Sequence, residues 1–513
     1  YNLNKNGNLS SIYQEQYLPA GNQYSASTNE SNSKGRSISS NFMGSWEVDK
    51  RTRIHFTGNV GISPNRNENS SQNASFDAPP GVSHESLFDD FESIPRNIKV
   101  NRSENRSRSE NQSNRYSWMM GIMRRLNEKG TTLALNILNS DSWGDNESFS
   151  LSKTTYFRLE DKLGNDSVLY RNQYLKSPQK NNSWRVGITF AQPIGKKMHF
   201  RVAYNWDTNY ERENRDTYEL SSLTKSEVFG ELPPDYEAGY VDSLSNRSHS
   251  RTNGHNLDVG LNYSDDTWMF NASLGMTPQK RAIERKMGKL YADTTMHTID
   301  FQPMIWVNWK KKEARITFNY SGRTRQPSLS DLMPLTDNSN PLYITRGNPD
   351  LKQMFSHSVR VGFQHSKKGI SANIGGQMEQ NSVTQVVLYD AQTGGRETSP
   401  ININGNWNVY GSANWWKRLG HFSLRLDMNG NHSNRVSMIN EDKSLEPKKS
   451  TTRDTGLGCD ANVSYQPTWG GIDFSTSWNY QYSLNSINDN DTYTRNYSFR
   501  LEGSVVLPFG LQL

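Results

Sequence analysis

The sequence predicts an all-β protein, a transmembrane antiparallel up-and-down β-barrel, from three observations. Runs of about ten residues alternate apolar with polar side chains, tight polar turns join these runs in pairs, and long Asn/Ser/Asp-rich connections link one pair to the next. Short turns on one side and long loops on the other are typical of outer-membrane barrels, where the short turns are periplasmic. Because only alternate residues of each strand face lipid, such a chain needs no long apolar segment.

Bulk composition by itself suggests a soluble or disordered chain. Only 33% of the 513 residues are hydrophobic and 21% are charged, and no stretch approaches the roughly 18 apolar residues of a membrane helix. Disorder is nevertheless excluded by 13 Trp, 24 Tyr and 19 Phe, because disordered segments are poor in aromatic residues. The net charge of +6 is small for this length, and without a dense basic patch we expect no nucleic-acid partner.

The alternating runs define two faces for each predicted strand. In residues 53–62, Ile54, Phe56 and Val60 share one face, whereas Arg53 and His55 share the other, since side-chain direction in a strand has a period of two. Residues 198–206, 422–429 and 499–505 alternate in the same way. The runs exceed the five or six residues typical of soluble strands, and their polar positions predict a wide lumen, either water-filled or plugged.

Gly, Asp, Asn and Pro mark the predicted turns, because they supply the backbone angles that hairpins need. The nine short turns are predicted at residues 47–52, 127–130, 195–197, 264–267, 310–313, 366–369, 417–420, 467–471 and 508–510. The long connections are predicted at residues 63–111, 141–182, 210–251, 277–297, 324–351, 389–400, 434–451 and 485–491. This division gives about 17 or 18 strands. Because a membrane barrel tolerates no open edge, we expect about four further strands after residue 513.

The most specific stretch is residues 325–352, in which Arg-x-Pro leads to Asn-Pro and then to Gly-Asn-Pro-x-Leu-Lys. Its motif residues are Arg325, Pro327, Asn340, Pro341, Gly347, Asn348, Pro349, Leu351 and Lys352. The stretch resembles a loop of TonB-dependent receptor barrels in the Gram-negative "outer membrane protein β-barrel" family, and residues 507–510 resemble that family's turns. The family usually continues Lys-Pro-Glu, where this chain has Lys-Gln-Met. We expect the motif mainly to shape a turn at a strand entry rather than to contact a ligand.

The resemblance implies a 22-stranded barrel in the Gram-negative outer membrane, an N-terminal plug domain and energy from TonB. Residues 1–513 would then be the barrel domain, with the plug and the last strands outside the chain. The implied function is TonB-dependent uptake of a scarce solute, whether glycan, peptide or siderophore. The implied partners are outer-membrane lipid and lipopolysaccharide, the plug and TonB, and a surface solute-binding lipoprotein is a further candidate. The residues expected to line the lumen, facing the plug or the solute, are Arg53, Arg201, Arg315, Asp427 and Arg500.

No motif predicts a catalytic, metal or cofactor site. The ten His residues show no His-x-x-x-His spacing and Cys459 is the single cysteine, so the pattern predicts no metal site. The acidic cluster Asp89, Asp90 and Glu92 lacks the spacing of a calcium loop and is expected to be solvated. Because no nucleophile elbow, Walker loop or dinucleotide fingerprint occurs, we expect no enzyme activity and no cofactor.

Aromatic residues recur near the predicted strand ends. They are Trp306, Trp309, Trp415, Trp416, Trp478, Tyr480 and Tyr482. We expect them to form an interfacial girdle at the lipid headgroups rather than a platform for stacking sugars.

Two other function classes stay open. One is a barrel without TonB coupling, acting as a passive pore or as an assembly or secretion component. The other is a soluble glycan-binding all-β protein, in which the apolar faces of residues 54–62 and 198–206 would pack against another sheet. A plug domain upstream of residue 1 would favour the receptor over the pore, and purification without detergent would favour the soluble protein.

Overall fold

A computed structural model describes residues 2–16, 23–221, 223, 229–333, 336–340, 342–390, 393–440, 446–487 and 491–505. The described strands are β1 (Asn2–Gln16), β2 (Gln23–Asp49), β3 (Thr52–Phe76), β4 (Lys99–Arg125), β5 (Thr132–Glu160), β6 (Asp166–Ile194), β7 (Met198–Glu219), β8 (Asn246–Ser264), β9 (Trp268–Met287), β10 (Leu290–Lys311), β11 (Ala314–Arg325), β12 (Thr336–Asn340), β13 (Tyr343–Arg346), β14 (Met354–His365), β15 (Ile370–Gln380), β16 (Ser382–Tyr389), β17 (Arg396–Ile403), β18 (Trp407–Leu419), β19 (Phe422–Ile439), β20 (Lys448–Tyr465), β21 (Gly470–Asn485) and β22 (Asp491–Val505). The described 3-10 turns are Phe91–Ser93, Arg96–Ile98, Tyr236–Gly239, Asp242–Leu244 and Ser366–Lys368. A search of these described residues for a helix able to span a membrane finds none.

Eighteen of the described strands form the wall, each paired antiparallel with the next. These are β1 to β11, β14, β15 and β18 to β22. The prediction of 17 or 18 strands is therefore confirmed. The other four strands, β12, β13, β16 and β17, lie in the connections from β11 to β14 and from β15 to β18. The 22 strands of this sheet are thus not the 22-stranded wall that the resemblance implies.

An apolar band follows one face of the wall. Val202 pairs with Val259, which pairs with Leu274, and farther round the wall Val361 pairs with Ile374. Direct cross-strand partners project from the same face of a sheet, so each of these rows lies on one face of the wall. Leu274 is 52% exposed and Ile374 is 59% exposed. A solvent-facing apolar band on long antiparallel strands is the surface that lipid covers in a transmembrane barrel.

The opposite face of the wall is polar. Ala203 pairs with Asp258 and Asp258 with Gly275, while Asn373 pairs with Ser412. Small and hydrogen-bonding side chains therefore alternate with the apolar band on each strand. The in-and-out alternation predicted from the sequence is present in the structure.

Eight of the nine predicted short turns join consecutive wall strands, and the ninth, at 508–510, lies outside the described residues. The turn between β8 and β9 shows how they are held. The Asp265 carboxylate accepts hydrogen bonds from the Tyr263 hydroxyl (2.6 Å), from the backbone N–H groups of Trp268 (2.7 Å) and Thr267 (2.9 Å), and from Lys197 (3.1 Å). The Tyr263 hydrogen bond, followed by those of the two N–H groups, holds the pKa of Asp265 well below its usual range.

The predicted long connections are mostly wrong in extent, because the strands continue far past the apolar band. Only residues 77–98 join β3 to β4, only 161–165 join β5 to β6, and only 288–289 join β9 to β10. Three other predicted connections are shorter in the structure: 210–251 is reduced to 220–245, 434–451 to 440–447, and 485–491 to 486–490. The predicted connection 324–351 contains β12 and β13, and the predicted connection 389–400 lies within the β16–β17 hairpin. Beyond the lipid, water wets both faces of a strand. Both faces are then polar and the alternation disappears, although the backbone ladder continues.

The prediction of an aromatic girdle is correct for only some of the predicted residues. Trp309 lies on the apolar face, with its ring centroid 6.5 Å from that of Trp268, whereas Trp306 pairs with two asparagines on the polar face. Trp415 and Trp416 are adjacent in β18 and likewise face opposite ways. The apolar face also carries Trp478, Tyr480 and Tyr482. Trp306 and Trp416 therefore do not belong to a lipid-facing girdle, because the strand period sends them inward.

Candidate functional site

A polar cavity lies on the polar face of β3 to β6, beyond the level of the apolar band. Its volume is about 370 Å³. The wall lines it with Asn73, Ser75, Asn101, Ser103, Asn105, Ser150, Ser152, Thr154, Leu169, Arg171 and Gln173, and the inserted strands with Leu342, Tyr343 and Gly394. We call this cavity the mouth chamber. Its volume falls within the range of small-molecule sites in proteins.

Amide and hydroxyl groups dominate the mouth chamber. Asn101 is only 3% exposed, and Ser103 and Thr154 are also buried. The Thr154 hydroxyl donates to the Ser103 hydroxyl (3.3 Å), which donates to Oδ1 of Asn105 (3.2 Å). Arg171 is the one charged residue of the described lining. The described lining is therefore mainly uncharged and hydrogen-bonding.

The four inserted strands cover the chamber and form what we call the cap, residues 326–353 and 381–406. β12 pairs antiparallel with β13, β13 pairs parallel with β17, and β17 pairs antiparallel with β16. Nε of Arg346 lies 2.9 Å from the Glu397 carboxylate, and the Arg396 guanidinium lies 4.8 Å from the ring centroid of Tyr343. The connections from two neighbouring hairpins therefore form one unit.

The cap crosses the polar face and contacts the far side of the wall. Nδ2 of Asn101 donates a hydrogen bond of 2.9 Å to the carbonyl of Thr393, although the two residues are 292 positions apart in the chain. Gly394 follows with a φ of 67°, and a Cβ there would lie 2.5 Å from Nδ2 of Asn101. Glycine is needed at this position because it permits both the left-handed backbone and the close approach.

The family-motif loop is part of this cap. A Cβ on Gly347 would collide with the carbonyl of Met333, so the chain passes there only as glycine. The backbone N–H of Asn348 donates to the carbonyl of Asp331 (2.5 Å), and its side-chain amide donates to the carbonyl of Pro400 (2.9 Å). Asn348 therefore joins the two halves of the cap.

The remaining motif residues anchor the loop. Leu351 is 5% exposed and packs in a cluster with Leu332, Met333 and Ile283 of β9. The backbone N–H of Lys352 donates to Oδ1 of Asn402 (2.6 Å), whose Nδ2 donates back to the Lys352 carbonyl (2.9 Å). These contacts fasten the root of the cap to the wall and to its own second half.

The residues at the start and in the middle of the motif also lie at strand ends or contact the wall. Arg325 is the last residue of β11, and the carbonyl of Pro327 accepts from Nη1 of Arg281 (3.0 Å). Asn340 ends β12, and Pro349 lies in the turn after Asn348. Pro341 lies outside the described residues. The described contacts of these motif residues fasten the loop to β9 and to the second half of the cap.

The five residues predicted to line the lumen all lie on the polar face, but near the short-turn ends of their strands. They are Arg53, Arg201, Arg315, Asp427 and Arg500. Each has a local partner, namely Glu47 (2.5 Å), Asp258, Asn308 (2.6 Å), Arg425 (2.6 Å) and Glu502 (3.5 Å), respectively. Among the described contacts no hydrogen bond or ion pair joins two of the five. They are thus spread around the lower wall, away from the mouth chamber.

Sequence reasoning missed the chamber residues because they fall within the predicted long loops. Residues 99–111 are polar at nearly every position, so the period of two is invisible there. One sequence signal for a strand was nevertheless present in this stretch. Asn101, Ser103 and Asn105 are short polar residues at a spacing of two, as a strand with one crowded polar face requires.

The described residues hold no group of three or more His, Cys, Asp or Glu side chains that could bind a metal. Cys459 pairs with Met428 and Trp478 on the apolar face. Asp89 and Asp90 are exposed in the β3–β4 connection, and Glu92 of the same acidic cluster lies 4.0 Å from the Lys99 ammonium.

Long antiparallel strands with an apolar band outside, a polar face inside and short turns along one rim define a transmembrane β-barrel of the outer membrane. The model of the outer membrane protein beta-barrel family matches residues 124–505, and the chain belongs to that family. The protein is therefore a multi-pass protein of the outer membrane, with its short turns in the periplasm.

Solved structures give distant likenesses. The copper transporter OprC is 10% identical with a TM-score of 0.47, covering 99% of this chain and 73% of that one. The Serratia marcescens hemophore receptor HasR, solved with HasA and heme, is 9% identical with a TM-score of 0.39 (97% and 80% covered). The alcaligin receptor FauA of Bordetella pertussis is 8% identical with a TM-score of 0.36 (97% and 75% covered). No curated protein matches the sequence significantly.

Proposed function

We propose that this barrel is a TonB-dependent outer-membrane receptor that captures a scarce solute in the mouth chamber and passes it down the lumen. The observation that carries the proposal is the cap, which crosses the mouth and hydrogen-bonds to the opposite wall through Asn101 and Thr393. A passive pore conducts best with an open mouth, whereas a receptor needs an enclosed site that holds its solute before transport.

The chamber chemistry supports a solute rich in hydroxyl or amide groups. Its Asn, Ser, Thr and Gln side chains match the hydrogen-bonding groups of a glycan or a peptide, and the Tyr343 ring offers an apolar surface. Arg171 adds a donor for a carboxylate or another anionic group. Of the three solute classes, glycan and peptide fit this lining better than a ferric siderophore. We place an oligosaccharide first because the lining is predominantly uncharged.

The lower wall has a separate part in the proposal. Arg53, Arg201, Arg315, Asp427 and Arg500 ring the periplasmic half of the polar face, where a plug domain would sit. Their charges would hold the plug by hydrogen bonds and ion pairs, and would line the solute path when TonB pulls the plug aside. A surface lipoprotein that delivers solute to the cap is compatible with this arrangement. Neither catalysis nor a cofactor is part of the proposal.

The uptake of labelled solutes by cells that carry the native protein tests the coupling to TonB. The probes are an oligosaccharide, an oligopeptide and a ferric siderophore, each offered to cells with and without TonB. The proposal requires uptake that disappears without TonB and is greatest for the oligosaccharide. Equal uptake in both strains would instead support a TonB-independent pore, and no uptake of any probe would leave an assembly or secretion component as the better function.

A matched pair of variants tests the chamber. Ser103→Leu introduces an apolar side chain into the lining and removes a hydroxyl that binds its neighbours. Glu104→Gln changes the next residue of the same strand, which points to the outer face. Loss of one hydrogen-bonding group is worth about tenfold in affinity, so the first variant should reduce oligosaccharide binding about tenfold or more and the second should leave it unchanged. Equal effects would place the solute elsewhere.

A further inference from the structure

A second cavity, of about 1060 Å³, opens at the periplasmic rim of the wall between three neighbouring turns. The turns are β10–β11, β14–β15 and β18–β19. Six cations line the cavity, and we call them the basic rim: Lys311, Lys312, Lys367, Lys368, Lys417 and Arg418. All six side chains are exposed. Glu313 is the one acidic residue of the described lining.

Hydrogen bonds between the turns fix the shape of this cavity. The backbone N–H of Ser366 donates to the carbonyl of Glu313 (3.0 Å), and that of Trp416 donates to the carbonyl of Gly369 (2.8 Å). Gly369 has a φ of 65° and a Cβ there would collide with the Trp416 carbonyl. The three turns are therefore joined to one another and present their cations from a preformed frame.

The charge of the basic rim is not neutralised within the described residues. The Glu313 carboxylate accepts from the Ser366 hydroxyl, and none of the six cations has a described carboxylate within ion-pair distance. Other turns on the same rim behave differently. Arg51 lies 3.6 Å from Glu128, and Lys197 lies 3.1 Å from Asp265. Lys50, Lys129 and Lys196 in other turns also have no described ion pair, so these three turns are distinguished by gathering six such cations around one cavity.

The cavity also borders the apolar band. Trp309, Ile370 and Trp415 line it from the lipid-facing side of their strands. Tryptophan favours the boundary between lipid tails and headgroups, because its ring is apolar and its N–H is polar. The basic rim therefore lies at the height of the headgroups of the periplasmic leaflet.

We propose that the basic rim binds the phosphate headgroup of an anionic phospholipid in the periplasmic leaflet. Lysine and arginine at this height attract anionic lipid electrostatically and donate charge-assisted hydrogen bonds to phosphate oxygens. The acyl chains of the same lipid would lie along Trp309, Ile370 and Trp415, so one molecule satisfies both halves of the cavity. The proposal depends only on the membrane orientation and is independent of the transported solute.

Native mass spectrometry of the full-length protein, released from detergent in the presence of phosphatidylglycerol or cardiolipin, tests the proposal. The test variant combines Lys311→Gln, Lys367→Gln and Lys368→Gln. The matched control combines Lys50→Gln, Lys129→Gln and Lys196→Gln, which remove the same charge from three other periplasmic turns. A lysine near an anionic surface contributes about fivefold to binding, so the test variant should bind these lipids about a hundredfold more weakly, and the control close to normally.

Further measurements distinguish a specific lipid site from nonspecific attraction, a soluble ligand and a periplasmic protein. Replacing the same three lysines by arginine should restore binding, because the charge and the phosphate donors return, and phosphatidylethanolamine should bind weakly to every form. Equal loss in the test and control variants would overturn the proposal in favour of nonspecific attraction. Inorganic phosphate that binds as tightly as the lipids would overturn it in favour of a soluble ligand. An acidic polypeptide that displaces the lipid and binds more tightly would overturn it in favour of a periplasmic protein.

Discussion

Arginine at position 374 would place a charge near the middle of the membrane. Ile374 lies on the apolar face of β15, where it pairs with Val361 and Gly411. It is four residues from the start of the strand, which is about 14 Å along an antiparallel strand and about 10 Å of height at a tilt of about 40°. An apolar band about 25 Å tall places this side chain close to its midplane. We therefore expect Ile374→Arg to cost about 2–4 kcal/mol of unfolding free energy.

The adjacent residue is a control at the same depth. Asn373 faces the polar lumen and donates to the Ser412 hydroxyl (2.6 Å), so Asn373→Arg should lose only that hydrogen bond, about 0.5–1.5 kcal/mol. Equilibrium urea unfolding in phospholipid vesicles, followed by tryptophan fluorescence, measures both costs. Equal costs for the two variants, or a larger cost at Asn373, would refute the assignment of the two faces.

Three further perturbations test the cap and the turns. Gly394→Val should separate the cap tip from Asn101 and increase amide exchange in β16 and β17; unchanged exchange would mean that the tip contact is unimportant. Asn402→Ala removes both hydrogen bonds to the Lys352 backbone and should lower the free energy of opening the cap root by about 1–3 kcal/mol. Native-state amide exchange measures this change. An effect on global unfolding alone would contradict a local role. Because its folded-state pKa is lowered, ionised Asp265 should stabilise the β8–β9 turn above about pH 4 and lose that contribution as the pH falls further. Amide exchange at the turn should show this loss in the native chain but not in Asp265→Asn, and identical pH profiles would exclude it.

The membrane part of the fold was predictable because lipid imposes a pattern on the sequence. Runs such as residues 53–62 alternate strictly, since each side chain there meets either lipid or the polar interior. The turns were predictable for a related reason. Residues such as Gly369 and Asp265 are required by local geometry, and that requirement is visible in the residue type alone.

The mouth of the barrel was not predictable, because neither constraint applies beyond the lipid. Residues 99–111 form a ladder whose two faces are both wet, so nothing in their polarity distinguishes strand from loop. The contact of Asn101 with Thr393 joins positions 292 residues apart, and only the register of the intervening strands brings them together. The motif loop was visible as a motif, but its docking on β17 depends on Asn402, which carries no signal of its own.

The unequal height of the wall determines how its mouth can open. β5 and β6 each have 29 residues, whereas β14 and β15, next to the root of the cap, have 12 and 11. The root of the cap is therefore attached beside the short strands of the wall, and its tip contacts β4 on the side with long strands. A hydrogen bond such as that at the tip contributes only about 0.5–1.5 kcal/mol, so the tip should separate from the wall at lower cost than the root, which two hydrogen bonds to Asn402 and a buried apolar cluster hold.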